Sequence, residues 1–578
     1  MDATIKHRID TWLQAPFDLQ TQEEVKRLRQ NDPKTLEDSF YTDLSFGTGG
    51  LRGIMGVGPN RMNLYTIQKT TLGLANYLYQ QYPSSSIRVV IGFDSRIHSK
   101  EFAKKACDVL LQQGIDVFFL THLRPTPYVS FSCRHFQAHA AIMITASHNP
   151  KEYNGYKVYW SDGAQVVHPH DTKILEEIEK ISTFELPPPS LKPGTLHRIG
   201  DELDDVYLQA IAPLQHLPQD NQSFGKELQI AYTSLHGTGI TLAPIALQSW
   251  GFSSVSYVLE QIVPDGTFPT TPFPNPEYPE ALKLGIALLQ EKNLDLLLAT
   301  DPDADRLGVV VLHQNKPIIL NGNEIASICT AFLCSLLPKE QAKHHAVVTT
   351  IVSTDLIQTI CKSYGVACFE VLTGFKYIGE KIHLWEQETP SYSFLFGAEE
   401  SYGYLIGTHS RDKDAIVSCC LLAEIALYCK RRGKTLVDFL YEIYQTYGLF
   451  REGQRSLTYL PGKEGMHSML QLMKRLRDHP LLSLNQEPVS DVEDYLSSKK
   501  YHKMTDQQEP LQLPKSDVLV FKTDKGHKLI IRPSGTEPKL KIYAGVCTQN
   551  FASIEEGIQK ADAELNRLLD SVKQTLTS

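Results

Sequence analysis

Two short motifs carry side chains whose types and spacing suit phosphoryl chemistry. The first, TASHNP (145–150), follows the apolar run AAIMI, and its composition predicts a tight turn that holds the Ser147 hydroxyl at a strand end. His148 is adjacent and Lys157 follows on YNGYKVY, which favours a nucleophilic or phosphoryl-carrying serine. An ordinary Ser/Asn/Pro turn explains the hexapeptide about equally well. The sequence has no G-x-S-x-G elbow, so esterase chemistry is not indicated.

The second motif, DPDADR, places Asp301, Asp303 and Asp305 at alternate positions between the apolar runs LDLLLAT and LGVVVL. Three carboxylates on one loop repel each other unless a cation lies among them, and hard oxygen ligands select Mg²⁺, Mn²⁺ or Ca²⁺. An EF-hand would need Gly and Glu where this chain has Arg306 and Leu312. The motif therefore predicts a metal site of another kind, in preference to a solvated acidic turn.

Three further loops combine glycine, serine or arginine in ways that suit phosphate binding. They are FGTGGLRG (46–53, with Arg52), FDSR (93–96) and RPSGTEPK (532–539). Plain turns are the alternative interpretation, and none of the three matches the P-loop pattern, so a nucleoside triphosphate is not implied. The segment GAEESYG (397–403) offers two carboxylates and a hydroxyl, which is a plausible acceptor set for sugar hydroxyls or else an acidic turn.

The elements that must position these motifs alternate between apolar strands and helix-like stretches such as 100–113 and 281–292, which favours α/β units with mostly parallel sheets. The stretch to about Tyr41 is typical of a surface helix. The run PPPSLKPG marks one domain boundary. We predict domains at 1–200, 201–322, 323–448 and 449–578, with a polar insertion at about 461–514. The last domain combines strands and tight turns with a helix at 553–572, which predicts an α+β fold.

Composition narrows the class of protein. The 578 residues predict roughly four domains. With 57 basic and 66 acidic residues the net charge is -9, which argues against nucleic-acid binding by broad phosphate neutralisation. No stretch approaches the ~20 apolar residues of a membrane helix, and the start lacks a signal core, so we expect a soluble cytoplasmic protein. The ten scattered cysteines have no CxxC spacing and do not predict a disulfide framework.

Taken in order from FGTGGLRG to RPSGTEPK, these motifs resemble those of the α-D-phosphohexomutase superfamily, and within it the phosphoglucomutase and phosphopentomutase branch. The resemblance implies three related α/β domains with mixed or parallel sheets and a C-terminal α+β domain around a central cleft. It also implies that Ser147 is the phosphoserine carrier and that the three aspartates bind Mg²⁺ together with the Ser147 phosphate.

The activity implied by the resemblance is the interconversion of glucose 1-phosphate and glucose 6-phosphate, with glucose 1,6-bisphosphate as intermediate and activator. Lys157 is our candidate for the general base, assisted by His148, provided that neighbouring charges lower the lysine pKa. We expect Arg52 to take part in catalysis. The expected substrate-binding residues are Thr373, Gly374, Glu399, Ser401, Lys413, Arg306, Arg532, Ser534, Gly535 and Thr536.

Four alternatives stay open. A phosphopentomutase, a phosphomannomutase or a glucose 1,6-bisphosphate synthase would use the same site with another sugar or phosphoryl donor. The fourth is a non-catalytic sensor of sugar phosphates, against which the intact Ser147 and the three aspartates weigh. In each case the expected partners are small sugar phosphates, with no nucleic acid and no membrane.

Overall fold

The computed structural model describes residues 2–44, 50–387, 392–459, 463–503, 505–533 and 539–577. The chain divides into two compact units. Unit 1 consists of Met1–Asn321, Phe375–Gly397 and Ser401–Thr435, and unit 2 of Gly322–Gly374, Ala398–Glu400 and Leu436–Ser578. None of the helices in the described ranges is long and apolar enough to cross a membrane.

The N-terminal stretch forms three helices where the sequence predicted a single helical stretch. They are α1 (Ala3–Thr11), α2 (Leu19–Asn31) and α3 (Pro33–Phe40). The break before α2 is fixed by Asp18, whose side chain accepts the Thr21 N–H at 2.9 Å, and α3 begins at Pro33, a residue suited to the first helical turn. The three helices pack around the aromatic side chains of Trp12, Phe17 and Phe40.

The first sheet of unit 1 has the order β1-β5-β4-β2-β3-β6. Its strands are β1 (Gly50–Ile54), β2 (Arg88–Phe93), β3 (Asp116–Leu120), β4 (Ala140–Ile144), β5 (Tyr153–Trp160) and β6 (Leu196–Ile199). The accompanying helices are α4 (Leu64–Gln81), α5 (Ser99–Gln112), α6 (Thr126–His135), α7 (His170–Glu179) and α8 (Glu202–Ile211). Strands β2 and β4 are parallel neighbours, so the loops that follow them, with Arg96 and Ser147, meet at one edge of the sheet.

The second sheet of unit 1 has the order β11-β10-β9-β7-β8. Its elements are α9 (Pro218–Phe224), β7 (Ile230–Thr233), α10 (Ala243–Ser249), β8 (Val255–Tyr257), α11 (Pro279–Glu291), β9 (Leu296–Thr300), β10 (Leu307–His313) and β11 (Lys316–Leu320). Strand β7 is parallel to β8 and β9, whereas β9, β10 and β11 are successively antiparallel. The three aspartates therefore lie on the connection between two buried antiparallel strands.

The next part of the chain contributes helices and strands to both units. The helices are α12 (Gly322–Leu336), α13 (Lys339–Ala342), α14 (Leu356–Tyr364), α15 (Phe375–Gln387), α16 (Ala415–Lys430) and α17 (Leu436–Tyr447). The strands are β12 (His345–Thr350), β13 (Ala367–Val371), β14 (Ser393–Glu399) and β15 (Gly403–Leu405), and β12 and β13 pair in parallel.

The C-terminal part of unit 2 is an antiparallel sheet with the path β16-β23-β22-β21-β18-β19-β20, and β17 pairs with β18. Its strands are β16 (Leu449–Thr458), β17 (Ser483–Leu484), β18 (Glu487–Asp494), β19 (Lys499–His502), β20 (Gln507–Pro510), β21 (Leu519–Thr523), β22 (Lys528–Pro533) and β23 (Lys539–Thr548). Two helices, α18 (Lys463–Asp478) and α19 (Ile554–Thr577), complete it. The polar segment at about 461–514 thus contains a helix and strands that extend the terminal sheet.

Candidate active site

The Ser147 loop (residues 145–150) presents its serine hydroxyl to the aspartate loop (residues 301–306). Ser147 has a φ of 52°, a conformation that non-glycine residues rarely adopt, and its N–H donates to Thr145 Oγ1 at 2.8 Å. Its Oγ donates to Asp301 Oδ2 at 2.8 Å and lies 3.2 Å from His148 Nδ1. The serine is buried, with 3% of its surface exposed. The two motifs that the sequence singled out therefore meet at one hydrogen bond.

The aspartate loop is shaped by the carboxylate of its first residue. Asp301 Oδ1 accepts the backbone N–H groups of Asp305 and Arg306, each at 3.0 Å. Ala304 has a φ of 50°, and its N–H donates to the Asp301 carbonyl at 2.9 Å. One oxygen of Asp301 thus holds the turn together, while the other oxygen faces Ser147.

The carboxylates of Asp301, Asp303 and Asp305 form a buried cluster that can hold a metal ion, with ligand atoms within 4.8 Å of one another. Oδ1 of Asp303 and Oδ1 of Asp305 are buried and have no hydrogen-bond partner among the described residues. Buried polar atoms are normally satisfied, so these two oxygens fit a ligand that is not part of the chain. A donor set of carboxylate oxygens matches hard divalent cations.

Burial and mutual repulsion change the pKa values of the carboxylates in this cluster. Burial, followed by repulsion from Asp303 and Asp305, raises the pKa of Asp301 well above its ordinary value. Burial also acts to raise the pKa of Asp303, but the ammonium of Lys157 holds it below the ordinary value. The carboxylates therefore differ in how readily they ionise without a metal.

Lys157 does not have the lowered pKa that the sequence interpretation required of a general base. Its Nζ lies 2.8 Å from Asp303 Oδ2 and 3.0 Å from Asp305 Oδ2. Burial acts to lower the pKa of this lysine, but the two carboxylates raise it above the ordinary value. This arrangement favours the protonated amine, so the condition on which the general-base role of Lys157 depended, a lowered pKa, is not met here.

His148 lies beside the serine, and its imidazole is held in the neutral form. Burial, followed by the positive charges of Arg306 and Arg52, lowers the pKa of His148 well below its ordinary value. A neutral imidazole nitrogen can accept a proton, and Nδ1 lies within reach of Ser147 Oγ at 3.2 Å. Because Ser147 Oγ donates to Asp301 in this arrangement, His148 can receive the serine proton only when that hydroxyl turns toward Nδ1 and Nδ1 is the ring nitrogen without a hydrogen.

The remaining expected cations of unit 1 lie around the same loops. Lys413 Nζ is 3.3 Å from Asp305 Oδ2 and 3.0 Å from Asp412 Oδ1. Arg306 Nη1 donates to Glu277 Oε1. Arg52 lies on β1, and its Nη1 donates to the side-chain oxygen of Asn149 at 2.9 Å, within the Ser147 loop. Each of the three cations is therefore held by a specific oxygen acceptor.

The other expected substrate residues are distributed differently. Thr373, Gly374, Glu399 and Arg532 belong to unit 2, and Ser401 belongs to unit 1. Within unit 2, the Gly374 N–H donates to Glu399 Oε1 at 3.0 Å, and Gly374 has a φ of 125°, which favours glycine. Ser534, Gly535 and Thr536 lie outside the described residues.

Two positioning groups were not assigned from the sequence. Thr126, the first residue of α6, donates its hydroxyl to Asp303 Oδ2 at 2.7 Å and its N–H to the Asp303 carbonyl at 2.8 Å. Thr238 donates its N–H to the Pro302 carbonyl at 2.7 Å. The prolines beside Thr126 mark a helix start, but no sequence signal links that helix to an aspartate 177 positions away.

Comparison with protein-family models gives four matches along the chain. They are the phosphoglucomutase/phosphomannomutase alpha/beta/alpha domains I (residues 43–185), II (205–314) and III (321–447), and the C-terminal domain of the same family (486–553). The expected architecture of three α/β domains and a C-terminal α+β domain is thereby confirmed.

Relatives and solved structures agree with these matches. A phosphoglucomutase of Staphylococcus aureus (strain MSSA476) is 36% identical over 526 residues, which are 90% of this chain and 93% of that relative. A phosphoglucomutase of Staphylococcus haemolyticus (strain JCSC1435) is 36% identical over 529 residues, 90% of this chain and 94% of the relative.

Among solved structures, parafusin (phosphoglucomutase) of Paramecium in its open form has a TM-score of 0.68 at 17% identity, covering 92% of this chain and 95% of its own. A phosphoglucomutase/phosphomannomutase family protein of Burkholderia thailandensis has a TM-score of 0.65 at 18% identity, covering 92% and 96%. At these identities the likeness concerns the fold alone.

Proposed function

Because the chain belongs to the phosphoglucomutase/phosphomannomutase family of the α-D-phosphohexomutase superfamily, we propose that it is a phosphoglucomutase that interconverts glucose 1-phosphate and glucose 6-phosphate. Its substrates are small sugar phosphates, and Ser147 carries the phosphoryl group. The observation that carries the proposal is the 2.8 Å hydrogen bond between Ser147 Oγ and Asp301 in a buried carboxylate cluster. A transferable phosphoryl group on this oxygen would lie directly beside a cation site.

In the proposed cycle, the bond between Ser147 Oγ and phosphorus breaks while the free hydroxyl oxygen of the sugar forms a new bond to phosphorus. The product is glucose 1,6-bisphosphate; the sugar hydroxyl proton passes to a base, and Ser147 Oγ takes up a proton as it leaves phosphorus. In the second half, Ser147 Oγ forms a bond to the phosphorus of the other phosphoryl group, the bond between that phosphorus and its sugar oxygen breaks, and the freed sugar oxygen takes up a proton. The serine proton then has an acceptor in the neutral His148 Nδ1 at 3.2 Å.

Asp301, Asp303 and Asp305 hold Mg²⁺ in this proposal, together with an oxygen of the Ser147 phosphate. When bound, the cation offsets the negative charge of the transferred group. Lys157 acts as the base for the sugar hydroxyl only when Asp303 and Asp305 are released from its ammonium, because a protonated amine accepts no proton. The proposal therefore couples this role of Lys157 to occupation of the aspartate cluster.

Substrate contacts in the proposal follow the expected residues. Glu399 and Ser401 bind sugar hydroxyls, residues 373–374 respond to sugar orientation, and residues 532–536 bind a phosphate. In the proposed domain division, the Ser147 loop belongs to a domain at 1–200 and the aspartate loop to a domain at 201–322. The segment 397–403, which binds the sugar, belongs to a domain at 323–448, and the segment 532–539, which binds a phosphate, belongs to a domain at 449–578.

Intact-mass and peptide mass spectrometry of the purified enzyme test the carrier role directly. We expect phosphate on Ser147 in part of the molecules, and we expect Ser147→Ala to abolish turnover of glucose 1-phosphate. Ser132→Ala is the matched control, since Ser132 is a buried serine whose Oγ donates to the Tyr128 carbonyl at 2.6 Å, within its own helix, and not to an aspartate. Full activity of Ser147→Ala at all bisphosphate concentrations would contradict the proposal.

Steady-state kinetics with different sugar phosphates identifies the preferred substrate. We expect kcat/KM to be highest for glucose 1-phosphate when it is compared with mannose 1-phosphate and ribose 1-phosphate on one preparation. A higher value for ribose 1-phosphate would identify a phosphopentomutase, and a higher value for mannose 1-phosphate a phosphomannomutase. Net formation of bisphosphate from a separate phosphoryl donor would identify a synthase.

A further inference from the structure

Arg96 lies three residues after the end of β2, and its Nη1 and Nη2 donate to backbone carbonyls between β4 and β5 and at the start of β5. Its side chain is fully enclosed, with 0% exposed. Nη1 donates to the carbonyls of Pro150 at 2.9 Å and Tyr153 at 3.1 Å. Nη2 donates to the carbonyls of Ser147 and Asn149. One planar group therefore binds three carbonyls of the Ser147 loop and the carbonyl of Tyr153, the first residue of β5.

The guanidinium itself is held from several sides. Nε lies 3.4 Å from Asp94 Oδ2, and the Arg96 N–H donates to Asp94 Oδ1 at 2.9 Å. Ser99 Oγ donates to the same Asp94 oxygen at 2.6 Å. The Phe268 ring lies against the guanidinium, with 5.0 Å between the ring centroid and Cζ. Asp94 and Phe268 thus fix both the plane and the direction of the donors.

This arrangement leaves no Nη donor of Arg96 for a ligand. A guanidinium has five N–H groups; the four on Nη1 and Nη2 of Arg96 donate to carbonyls, and Nε lies 3.4 Å from Asp94 Oδ2 without a hydrogen-bond partner among the described residues. The sequence interpretation of FDSR as a phosphate-binding loop is therefore wrong for the Arg96 side chain. The four carbonyls are spread over residues 147–153, and a single ammonium cannot reproduce the fork that spans them.

We propose that Arg96 is a positioning residue: it fixes the backbone of the Ser147 loop so that the phosphorylated Ser147 Oγ transfers its group to a sugar hydroxyl and not to water. The inference rests on the proposed function, because it concerns the fate of the phosphoryl group on Ser147. The unusual φ of 52° at Ser147 needs such support, since a serine is not stable in this conformation without surrounding contacts.

A loosened loop has two chemical consequences. Transfer to the sugar slows, because a misplacement of about 1 Å costs roughly 100-fold in rate. Hydrolysis competes: a water oxygen forms the new bond to phosphorus, the bond between Oγ and phosphorus breaks, and the water proton ends on Ser147 Oγ. The sugar phosphate itself loses no contact to Arg96, so its KM changes little.

The experiment compares Arg96→Lys with wild-type enzyme and with Arg61→Lys. Arg61 is a matched control because it is also buried in unit 1 and binds Asp38 and a backbone carbonyl rather than the Ser147 loop. Phosphoenzyme labelled with ³²P is mixed with glucose 1-phosphate, and label is counted in sugar phosphates and in inorganic phosphate. This partition is measured per phosphoenzyme, so it does not depend on the folded fraction.

We expect Arg96→Lys to lower kcat about 100-fold with KM within about threefold, and to raise the share of label lost to water about tenfold. Arg61→Lys should match the wild type. A raised KM with an unchanged partition of label would overturn the inference and indicate that Arg96 binds the substrate. Equal losses of kcat in both variants would also overturn it, because Arg96 would then contribute only to the stability of the fold.

Amide hydrogen exchange of the peptide 145–153 measures the order of this backbone directly, and it can be measured even when a variant has no turnover. We expect faster exchange in that peptide alone in Arg96→Lys, and the same direction to a smaller extent in Asp94→Asn, which should fold more readily. If wild-type Ser147 carries no phosphate, the carrier proposal fails. In that case unchanged exchange in 145–153 separately overturns the positioning role.

Discussion

Replacing Thr126 with valine tests how the aspartate cluster is held for a cation. The Thr126 side chain is fully buried, and its hydroxyl donates to Asp303 Oδ2 at 2.7 Å. Valine has nearly the same volume and keeps the backbone N–H that donates to the Asp303 carbonyl. The substitution therefore removes one hydrogen bond to a carboxylate without opening a cavity. The hydroxyl also helps to keep the pKa of Asp303 low.

The size of the effect follows from the kind of hydrogen bond. A bond to a charged group contributes roughly 1.5–3 kcal/mol, and about 1.4 kcal/mol corresponds to tenfold in an equilibrium constant. Removing a group that orients a metal ligand typically costs about 10- to 100-fold in metal affinity. We therefore expect Thr126→Val to raise the Kd for Mg²⁺ by that factor, and to lower turnover at limiting Mg²⁺ while turnover recovers at saturation.

The assay is calorimetric Mg²⁺ titration of metal-free enzyme beside activity at graded Mg²⁺ concentrations. Thr126→Ser keeps the hydroxyl and should bind Mg²⁺ nearly as the wild type does. Thr71→Val is the control: Thr71 is also fully buried, and its hydroxyl donates to the Ile67 carbonyl at 2.8 Å on α4. Equal Kd values for Thr126→Val and wild type, or equal losses in Thr71→Val, would refute the reasoning.

Three further predictions concern other buried contacts. Burial raises the pKa of Glu452 from 4.5 to about 7, so folded unit 2 binds more protons than the unfolded chain between these values and loses stability as pH rises through them. Glu452→Gln should therefore raise the free energy of unfolding at pH 8, by at most about 3 kcal/mol, but not at pH 4. Thermal unfolding at the two pH values measures this as a higher midpoint at pH 8 only, and equal shifts at both would contradict it. The buried Glu424 carboxylate accepts two backbone N–H groups and an amide, so Glu424→Gln should cost about 2–3 kcal/mol in denaturant unfolding, and an unchanged midpoint would be against it. A Cβ at Gly403 would lie 2.0 Å from Lys413 Cδ, so Gly403→Ala should displace that lysine and raise the KM for the sugar phosphate about tenfold. Gly545→Ala is the control, because the nearest atom to its Cβ would be 3.7 Å away, and it should leave the KM unchanged. Equal KM values for the two variants would show that the position of Lys413 does not affect substrate binding.

Much of the local structure was predictable because it depends on neighbours in sequence. The run AAIMI is the fully buried strand β4, and LLLAT is the fully buried strand β9. Polar turn residues directly after such strands placed Ser147 and the aspartates at strand ends. The N-terminal helices were less predictable, since one helical pattern did not reveal that caps at Asp18 and Asp32 divide it into three.

The polar segment after residue 460 shows a second limit of sequence reasoning. Strand β20 is exposed and β19 is mostly half-buried, and both carry charged or polar side chains, so they lack the apolar alternation by which a half-buried strand is recognised. Their backbone nevertheless pairs with β18 and with each other, because ladder hydrogen bonds do not depend on side-chain polarity.

The sequence by itself determined which groups are available for chemistry: a serine in a tight turn, three carboxylates on one loop and cations nearby. Only the tertiary structure decided what those groups bind. The sequence suggested that Arg96 and Lys157 were cations available for phosphate binding or catalysis. In the structure the Arg96 guanidinium donates to backbone carbonyls, and the Lys157 ammonium lies between two carboxylates that raise its pKa. The physical reason is that burial and charge proximity depend on how segments far apart in the sequence pack, and packing brings together residues, such as Thr126 and Asp303, that no local pattern connects.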